Sequence, residues 1–458
     1  MKNVVLVTQD RKDITEEQRQ NIVKAILKDG EYQIILMIVN KYTNKEEYSC
    51  YDGVKKVIDS YELEYFESMD GINYKDIAKH KNWQLDIENS AYRYYGDYNL
   101  GKYYYYSAFS FWNSFFLKNK PDIIIHTKAY HGFAYDCCDI VAEKYGAKSF
   151  HFFPNGYNNT FGIYEHKRII PVFCGHIDNL SYFLKSSYDK TQLPPSIEEK
   201  NLYQRLLYKI GGNLLEDFGT RLIRWNWKSR SIDRKRKEVF WSEKFLGYMK
   251  LMSIKRYMNY LSCTPNFEDK YVVYFLHVEP EASIQINTIL ESQLVAIKML
   301  SETLPDGWVL YVKEHPAQFD VNNDPGYYHM IDMYRFKTKE FYSKIVAMNN
   351  VKLVKINIKS ELLIEHAQAV SSILGTVFYE SVMKNKPVIL FSDQNPIAYT
   401  MAAFVVSTFD ELKMFMDKIS KGFKPNYDDV DEVIRQYIFK GEYLVDNIIE
   451  LIHRECPT

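Results

Sequence analysis

Short apolar runs alternate with helical patterns along most of the chain, most clearly in the part between residues 271 and 391. Four mostly apolar stretches there each end in polar or glycine-bearing residues: 271–276, 308–313, 369–374 and 387–391. Short buried runs of this kind are typical of parallel strands in an open α/β sheet. Ligands of such sheets bind just beyond the carboxyl ends of the strands. The polar residues after these runs are therefore the first candidates for a functional site.

The amino-terminal half repeats the alternation of strand and helix patterns. The order predicted from the apolar spacing is strand 4–8, helix 13–29, strand 34–39, helix 103–116, strand 121–126, helix 134–145 and strand 148–153. Gly30 is a natural stop for the first helix. Residues 41–100 have weak periodicity and yield no prediction. A strand–helix–strand opening predicts a doubly wound α/β domain.

Two domains are expected because 458 residues exceed what one ordinary core accommodates. The fold class predicted is α/β, with two Rossmann-like doubly wound domains. We divide the chain into a first Rossmann-like domain, a helical basic insert, a second Rossmann-like domain and closing helices that can cross back to the first domain: 1–175, 176–265, 266–425 and 426–458.

The insert carries a basic run between residues 221 and 237, interspersed with tryptophans. One interpretation is a solvated helical linker between the domains. The other is a surface that contacts anionic lipid, on the inner face of the cytoplasmic membrane, or an anionic acceptor.

Composition narrows the class of protein. Hydrophobic residues make up 46% and charged residues 26%, which is typical of a globular chain. The formal net charge of -1 argues against a nucleic-acid partner. The six cysteines form no CxxC pair, so we expect reduced thiols in a cytoplasmic protein. Met1 leads almost directly into the first strand, and no apolar run approaches 18 residues, so neither a secretion signal nor a membrane span is expected.

The strongest strand-end signal is Gly375-Thr376, which precedes a helical pattern at 377–384 with Glu380 one turn in. A helix that starts directly after a strand offers free N–H groups to phosphate. Additional hydroxyl donors are Ser371, Ser372 and Thr376. The alternative is a tight turn that needs glycine only for packing.

A second strand end carries Lys313, His315 and Pro316. Proline cannot donate to a sheet ladder, so the strand stops there and leaves His315 near the carboxyl edge. An imidazole at that edge can donate to a phosphate or ribose oxygen, and Lys313 could add charge. The alternative is a histidine that bonds only to neighbouring backbone.

A third strand end carries His277, Glu279 and Glu281. Paired carboxylates there could orient sugar hydroxyls or act as a base. No DxD motif stands nearby, so no obligatory metal site is expected. The chain also lacks a GxSxG nucleophile elbow, which argues against a hydrolase.

These residues give the chain a family resemblance between about 271 and 395. The chain resembles the capsule polysaccharide biosynthesis proteins, which are GT-B glycosyltransferases that include the bacterial β-Kdo transferases, at residues 276–283, 304–305, 312–316, 374–376, Glu380 and 386–388. The amino-terminal half matches only loosely, through His131-Gly132.

The resemblance implies a GT-B fold, in which two Rossmann-like domains face across a cleft and the carboxyl-terminal domain holds the nucleotide sugar. His315-Pro316 resembles the His-Pro motif that holds the nucleotide in transferases using CMP-sugars, and Gly375-Thr376 resembles their phosphate turn. The function expected is a metal-independent, inverting transfer of a sugar to a glycan or lipid-linked glycan in surface polysaccharide (capsule or lipopolysaccharide) synthesis. The expected donor is a CMP-activated keto-acid sugar (Kdo or a nonulosonate), with no other cofactor.

The expected acceptor domain is the amino-terminal one, with His131 and Asp136 as candidates for the general base. Two alternatives stay open. One is a transferase that uses UDP- or GDP-sugars, or a nucleotide-sugar epimerase of the same shape. The other is a non-catalytic glycan-binding assembly protein. The oligomeric state is not predicted.

Overall fold

The structure, a computed structural model, describes most of the chain. The described residues are 1–8, 14–40, 43–64, 66–72, 74–79, 87, 91, 98–127, 133–154, 159–165, 168–181, 241–279, 290–319 and 330–457. The basic run at 221–237, the candidate base His131 and the carboxylate Glu281 lie outside these ranges.

Two β-sheets organise the described residues. The strands of the first sheet are β1 Lys2–Thr8, β2 Tyr32–Val39, β3 Val57–Asp59, β4 Ile123–His126, β5 Lys148–Pro154, β6 Thr160–Glu165, β7 Arg168–Ile170 and β14 Phe439–Lys440. The strands of the second sheet are β8 Tyr271–Phe275, β9 Val309–Lys313, β10 Val351–Val354, β11 Ala369–Ser372, β12 Val388–Leu390 and β13 Ala403–Val405.

The second sheet is entirely parallel, in the order β10-β9-β8-β11-β12-β13. The chain therefore leaves β8 toward one edge and returns to the other side of β8 with β11. This reversal is a topological switch point, and a crevice opens at the carboxyl ends of the strands that flank it.

The first sheet has the order β14-β6-β5-β4-β1-β2-β3, with β7 paired to β6. Strands β1 to β5 pair in parallel, whereas β6, β7 and β14 pair antiparallel. The switch point of this sheet lies between β1 and β4. The segments that follow these strands, 9–13 and 128–132, are outside the described residues.

Helices cover both faces of the sheets. Around the first sheet they are α1 Glu16–Leu27, α2 Glu46–Ser49, α3 Ser60–Glu64, α4 Tyr74–Lys79, α5 Tyr98–Asn119 and α6 Phe133–Tyr145. The helices in the later part of the chain are α7 Trp241–Leu261, α8 Gln293–Thr303, α9 Lys339–Val346, α10 Ser360–His366, α11 Val377–Met383, α12 Phe409–Ser420, α13 Tyr427–Arg435 and α14 Leu444–Glu455. The described residues also contain four short 3-10 segments: Pro316–Phe319, Met330–Arg335, Pro396–Tyr399 and Gly441–Tyr443.

Side chains alternate between the faces of each sheet, which produces a core on either side. In β8, Val272 and Tyr274 enter one cluster while Tyr271 and Val273 enter the other. The same alternation divides the residues of β1 between two clusters. Because both faces of such a sheet are covered, most strand positions are buried and the apolar runs in the sequence are nearly continuous.

The last helix belongs to the first sheet and not to the second. Strand β14 pairs with β6 through Phe439 and Phe161. Helix α14 then packs on α1 in the core of the first sheet, where Ile448 and Leu451 join Ile22. The chain thus crosses back after α13, whose Val430 and Ile434 pack under the second sheet.

The predicted fold class, α/β with two Rossmann-like doubly wound domains, is confirmed by these two sheets. The predicted strands and helices of both sheets are present with small shifts at their ends. Strands β3, β6, β7, β10, β13 and β14 were not predicted. None of the helices within the described ranges is long and apolar enough to cross a membrane.

Candidate functional site

The switch point of the second sheet brings two of the three predicted strand ends into direct contact. His277 follows β8, and Leu374-Gly375 follows β11, the neighbouring strand. The ring Nε2 of His277 accepts a hydrogen bond from the backbone N–H of Leu374 at 3.1 Å. One imidazole therefore bridges the crevice in which an open α/β sheet binds its ligand.

This bond also fixes the protonation of His277. A backbone N–H can only donate, so Nε2 must be the unprotonated nitrogen and Nδ1 carries the proton. That leaves Nδ1 as the ring nitrogen of His277 that can act as a donor.

Gly375 occupies a backbone conformation that favours glycine, with φ at +142°. A Cβ at this position would lie 3.6 Å from Cε1 of His277, in ordinary van der Waals contact, so the backbone angle is the main constraint. The side chain of Asn395 holds the turn by donating to the Gly375 carbonyl at 3.2 Å. Thr376 follows as the exposed N-cap residue directly before α11, and its side chain makes no capping bond.

Ser372 lies beneath the turn and not at its surface. Its side chain is buried, and its hydroxyl donates to the Phe275 carbonyl at 2.8 Å. Ser371 donates in the same way to the Ile389 carbonyl at 3.0 Å. Both hydroxyl hydrogens that were predicted to face phosphate are thus used to tie neighbouring strands together.

His315 is exposed at the carboxyl end of β9, on the other side of β8. Its Nδ1 accepts the backbone N–H of Ala317 at 3.1 Å, so its proton belongs on Nε2. Pro316 starts the 3-10 segment Pro316–Phe319 at the point where the strand stops. The two histidines are therefore alike: each accepts one backbone N–H and carries its proton on the opposite nitrogen.

The Lys313 amine donates to backbone carbonyls and not into the candidate ligand site. Its side chain is 1% exposed, and Nζ donates to the carbonyls of Ile356 at 2.7 Å and Glu314 at 3.3 Å. Burial lowers the pKa of this amine to about 8, against a weaker opposing effect of the Glu314 carboxylate. The amine was predicted to add charge to the ligand site, whereas the structure places it under the end of the neighbouring strand β10.

Glu279 is mostly enclosed. Its carboxylate accepts a hydrogen bond from Gln293, the first residue of α8. Burial raises the pKa of Glu279, and Lys337 and the bond from Gln293 oppose that rise. The backbone N–H of Glu279 donates to Gln318 at 2.9 Å. These contacts place a carboxyl group with a raised pKa at the edge of the candidate site.

Glu380 lies one turn into α11, as the sequence predicts. Burial raises the pKa of its carboxyl, and the nearby Glu361 adds to the rise. The structure does not bring Glu380 into a hydrogen bond with the histidines.

A buried charged network supports the candidate site, and the sequence analysis did not anticipate it. Glu314 is fully buried, and one carboxylate oxygen accepts from Nζ of Lys337 at 2.8 Å and from the backbone N–H of His315 at 2.7 Å. Its other oxygen accepts from the Tyr342 hydroxyl at 2.6 Å. Lys337 also donates to the His277 carbonyl. The only signal in the sequence was the charged residue Glu314 between Lys313 and His315. Its partner Lys337 could not be found in this way, because folding brings the two residues together.

Of the two candidates for the general base in the amino-terminal half, the structure describes Asp136. Asp136 is 1% exposed inside α6, within the described residues, and its charge adds to the rise that burial causes in the pKa of the adjacent Cys137 thiol. His131 lies outside the described residues, and the role of general base stays a prediction for both residues.

A second buried cluster lies between α6 and the ends of β4 and β5. Asp139 accepts from the Ser149 hydroxyl at 2.5 Å and pairs with Nε2 of His151 at 2.9 Å, while Nε2 of His126 lies 3.4 Å from its other side. Burial and, to a smaller extent, the neighbouring His151 together lower the pKa of His126 to about 4, against the opposing hydrogen bond and charge of Asp139. The charges and hydrogen bonds of the two histidines hold the pKa of Asp139 below its usual range, against the effect of burial.

The ligand atoms of His126, Asp139 and His151 lie within 4.8 Å of one another, close enough for a metal ion to be considered. The two imidazoles, however, stack with centroids 4.0 Å apart and planes within 3°. Metal ligation by imidazole uses a lone pair in the ring plane, and lone pairs of parallel stacked rings run side by side and do not converge. The geometry fits a hydrogen-bonded cluster that joins α6 to the sheet.

Comparison with known proteins gives a limited result. No family model and no curated protein matches the chain. Solved structures with similarity include a UDP-GlcNAc 2-epimerase from Methanocaldococcus jannaschii, at 12% identity over 98% of this chain and 99% of that one, with a TM-score of 0.27. A β-Kdo 2,7 transferase from Thermosulfurimonas dismutans has 12% identity over 74% of this chain and 88% of that one, with a TM-score of 0.30.

A glycosyltransferase from Rickettsia africae has 12% identity over 100% of this chain and 99% of that one, with a TM-score of 0.27. TM-scores this low carry no argument about function. The fold therefore rests on the strand orders above, and the function is argued from the site.

Proposed function

We propose that this protein is a GT-B glycosyltransferase of bacterial surface polysaccharide synthesis. It transfers a sugar from a nucleotide sugar to a glycan or lipid-linked glycan. The donor we propose is a CMP-activated keto-acid sugar, Kdo or a nonulosonate, which follows from the resemblance of His315-Pro316 to the His-Pro motif. The site of action is the cytoplasm, at the inner face of the membrane where lipid-linked glycans are found.

The single observation that carries this proposal is the bond between His277 and Leu374 across the switch point of the second sheet. Ligands of open α/β sheets bind at such points, and nucleotides are the ligands most often bound there. His315 stands at the next strand end, so two imidazole N–H donors flank the crevice. Neutral N–H donors suit phosphate oxygens, since they donate without needing acid conditions.

In this proposal each part of the site has a separate role. His277 and His315 donate to the phosphate oxygens, and the Gly375-Thr376 turn lets the phosphate approach the backbone. The acceptor oxygen bonds to the anomeric carbon, and the bond from that carbon to the phosphate oxygen breaks. The nucleotide leaves with the electron pair, and its developing negative charge is stabilised by the two N–H donors.

The acceptor proton goes to a base from the amino-terminal domain, for which His131 and Asp136 are our candidates. Attack on the face opposite the leaving nucleotide makes the transfer inverting. The phosphate charge is met by N–H donors in this scheme, so we propose that the reaction proceeds without a metal. Glu279 is the further carboxylate that could orient a sugar hydroxyl.

A thermal-shift screen against CMP, CDP, UDP, GDP and TDP tests the donor class. A nucleotide at about 100 times its dissociation constant stabilises a protein by about 2.7 kcal/mol, which is visible as a rise in melting temperature. We expect CMP to stabilise the protein, and His315→Ala to abolish that effect. Stabilisation by UDP and not by CMP would contradict the donor and leave the site in place.

Incubation with UDP-GlcNAc alone separates transfer from epimerisation, because an epimerase needs no acceptor. We expect its NMR spectrum to remain unchanged. Conversion of the sugar without an acceptor would instead assign the same crevice to an epimerase. Binding of oligosaccharide with no nucleotide binding would indicate a non-catalytic assembly protein.

A further inference from the structure

The ion pair between Lys337 and Glu314 differs from the other lysine and arginine pairs. Both side chains are completely buried, with 2.8 Å between Nζ and the carboxylate. In every other such pair that the described ranges contain, at least one partner is partly open to solvent. A pair in this environment needs a specific explanation.

Stability alone does not explain it. Removing two charges from water costs free energy that their attraction only partly returns, so apolar residues of similar size would often serve the fold as well. A buried pair persists when further hydrogen bonds satisfy its remaining donors and acceptors. The identity of those further partners therefore indicates what the pair does.

Those partners include the backbones of the two histidines in the candidate site. Lys337 donates to the His277 carbonyl, and Glu314 accepts the N–H of His315 at 2.7 Å. Tyr342 from α9 holds the other carboxylate oxygen at 2.6 Å, so the carboxylate has little freedom to turn. One ion pair thus links the loop after β8 to the loop after β9.

The loop after β8 is held from its other side by two glutamines. Gln293 accepts the N–H of His277 at 2.7 Å, and Gln318 accepts the N–H of Glu279 at 2.9 Å. Both glutamine side chains are buried. With Lys337 on the His277 carbonyl, the backbone groups of His277 and the N–H of Glu279 are all bonded to side chains.

We propose that Lys337 and Glu314 are positioning residues that set the spacing of His277 and His315 for the nucleotide phosphate. This inference rests on the proposed function of the two histidines, and neither Lys337 nor Glu314 needs to touch the ligand. The pair acts through backbone atoms: displacement of Lys337 releases the His277 carbonyl and leaves the Glu314 carboxylate free to rotate away from His315.

NMR of the histidine rings tests this positioning role directly. In full-length protein labelled with ¹⁵N-histidine, two-bond correlation spectra distinguish the tautomers of each imidazole. We expect wild-type His277 to carry its proton on Nδ1 and His315 on Nε2. In Lys337→Met both signals should move toward those of exposed, exchanging histidines, whereas the signals of His366 and His453 should stay in place.

The matched control is Lys344→Met, which removes a lysine from an exposed i,i+4 pair with Glu340 on the adjoining helix α9. It should move neither signal. If Lys337→Met does not fold, the neutral double variant Lys337→Met/Glu314→Gln decides, since it leaves no unpaired charge. Unchanged His277 and His315 signals in a folded variant would overturn the proposal, as would failure of both variants to fold.

Calorimetric titration with CMP gives the second readout. Misplacement of one imidazole should weaken CMP binding by about tenfold or more in Lys337→Met and leave it unchanged in Lys344→Met. Absence of CMP binding to the wild type would remove the proposed donor, and the imidazole spectra would still decide the positioning role. Equal CMP affinity in wild type and Lys337→Met would contradict it.

Discussion

The ring of His277 accepts the backbone N–H of Leu374 at 3.1 Å and thereby joins the two strand ends that flank the switch point of the second sheet. This contact needs a close approach of the turn after β11, and Gly375 supplies it with a φ of +142°. The imidazole, the turn and the crevice are consequently one structural unit. A change in the turn should therefore alter the affinity of any ligand that binds in the crevice.

Substitution of Gly375 by alanine tests that unit. A Cβ at this φ strains the backbone, and we expect a loss of about 1 kcal/mol or more of stability together with weaker nucleotide binding. Gly307→Ala is the matched control, since Gly307 also has a positive φ of +77° but lies in open space between α8 and β9. Urea unfolding should show a loss of stability in both variants, and calorimetric titration should show weaker CMP binding only in Gly375→Ala. Equal affinity in the two variants would argue against the turn as part of the site.

Lys313 and His315 are two residues apart, yet the structure predicts opposite outcomes for their removal. The Lys313 amine donates to the Ile356 carbonyl at 2.7 Å, so Lys313→Met should leave CMP affinity unchanged. His315→Ala should lose most of it, because that variant removes an exposed N–H donor. A thermal-shift titration of both variants with CMP measures the difference. Loss of binding in Lys313→Met would place its charge in the site, as the sequence pattern first suggested.

The buried pair of Lys337 and Glu314 should also be visible in stability. Lys337→Met leaves a buried carboxylate without its counter-charge, which typically costs about 3–5 kcal/mol. Lys344→Met breaks only an exposed pair, for which about 0–1 kcal/mol is typical. The free energies of unfolding in urea provide the comparison. A cost below about 1 kcal/mol for Lys337→Met would mean that the carboxylate is not desolvated as the structure shows.

The pH dependence of stability should report the cluster around His126. Its pKa is lowered from 6.5 to about 4, first by burial and then by the neighbouring His151. Between pH 6.5 and 4 the unfolded chain therefore binds a proton that the folded chain does not. Stability should fall as the pH falls through this window, by up to about 1.4 kcal/mol per pH unit from this group.

His126→Gln should reduce that slope, whatever it does to stability at neutral pH. The pKa of Asp139 is lowered below its ordinary 3.8, so its own contribution changes only at pH values below this window. Urea unfolding at several pH values gives the slopes, with His453→Gln, an exposed histidine on α14, as the control. The same slope in wild type and His126→Gln would contradict the assignment.

Much of the fold could be predicted because buried parallel strands leave continuous apolar runs. The runs at 271–276 and 387–391 became β8 and β12 with small changes at their ends. Strand β13, Ala403–Val405, has only three residues, and the hairpin of β6 and β7 pairs antiparallel at the edge of a parallel sheet. An antiparallel hairpin departs from the strand–helix alternation on which the prediction rests, and β13 is a short strand at the edge of its sheet.

The candidate site was predicted only in part, for a related reason. Strand-end positions can be located along a sequence, which is how His277, His315 and Gly375 were found. The direction of a side chain cannot be located in this way: Lys313 and Ser372 stand at strand ends but bond within the sheet. Lys337 follows Glu314 by 23 positions and reaches it only through the packing of the 3-10 segment Met330–Arg335 and α9.

The most direct test of the account is calorimetric titration of CMP into wild type and into His315→Ala, with His453→Ala as the control. We predict one CMP site per chain in the wild type and in His453→Ala, and at least about tenfold weaker binding in His315→Ala. Failure of CMP and of the other nucleotides to bind the wild type, or CMP affinity that His315→Ala leaves unchanged, would contradict a nucleotide site at this switch point.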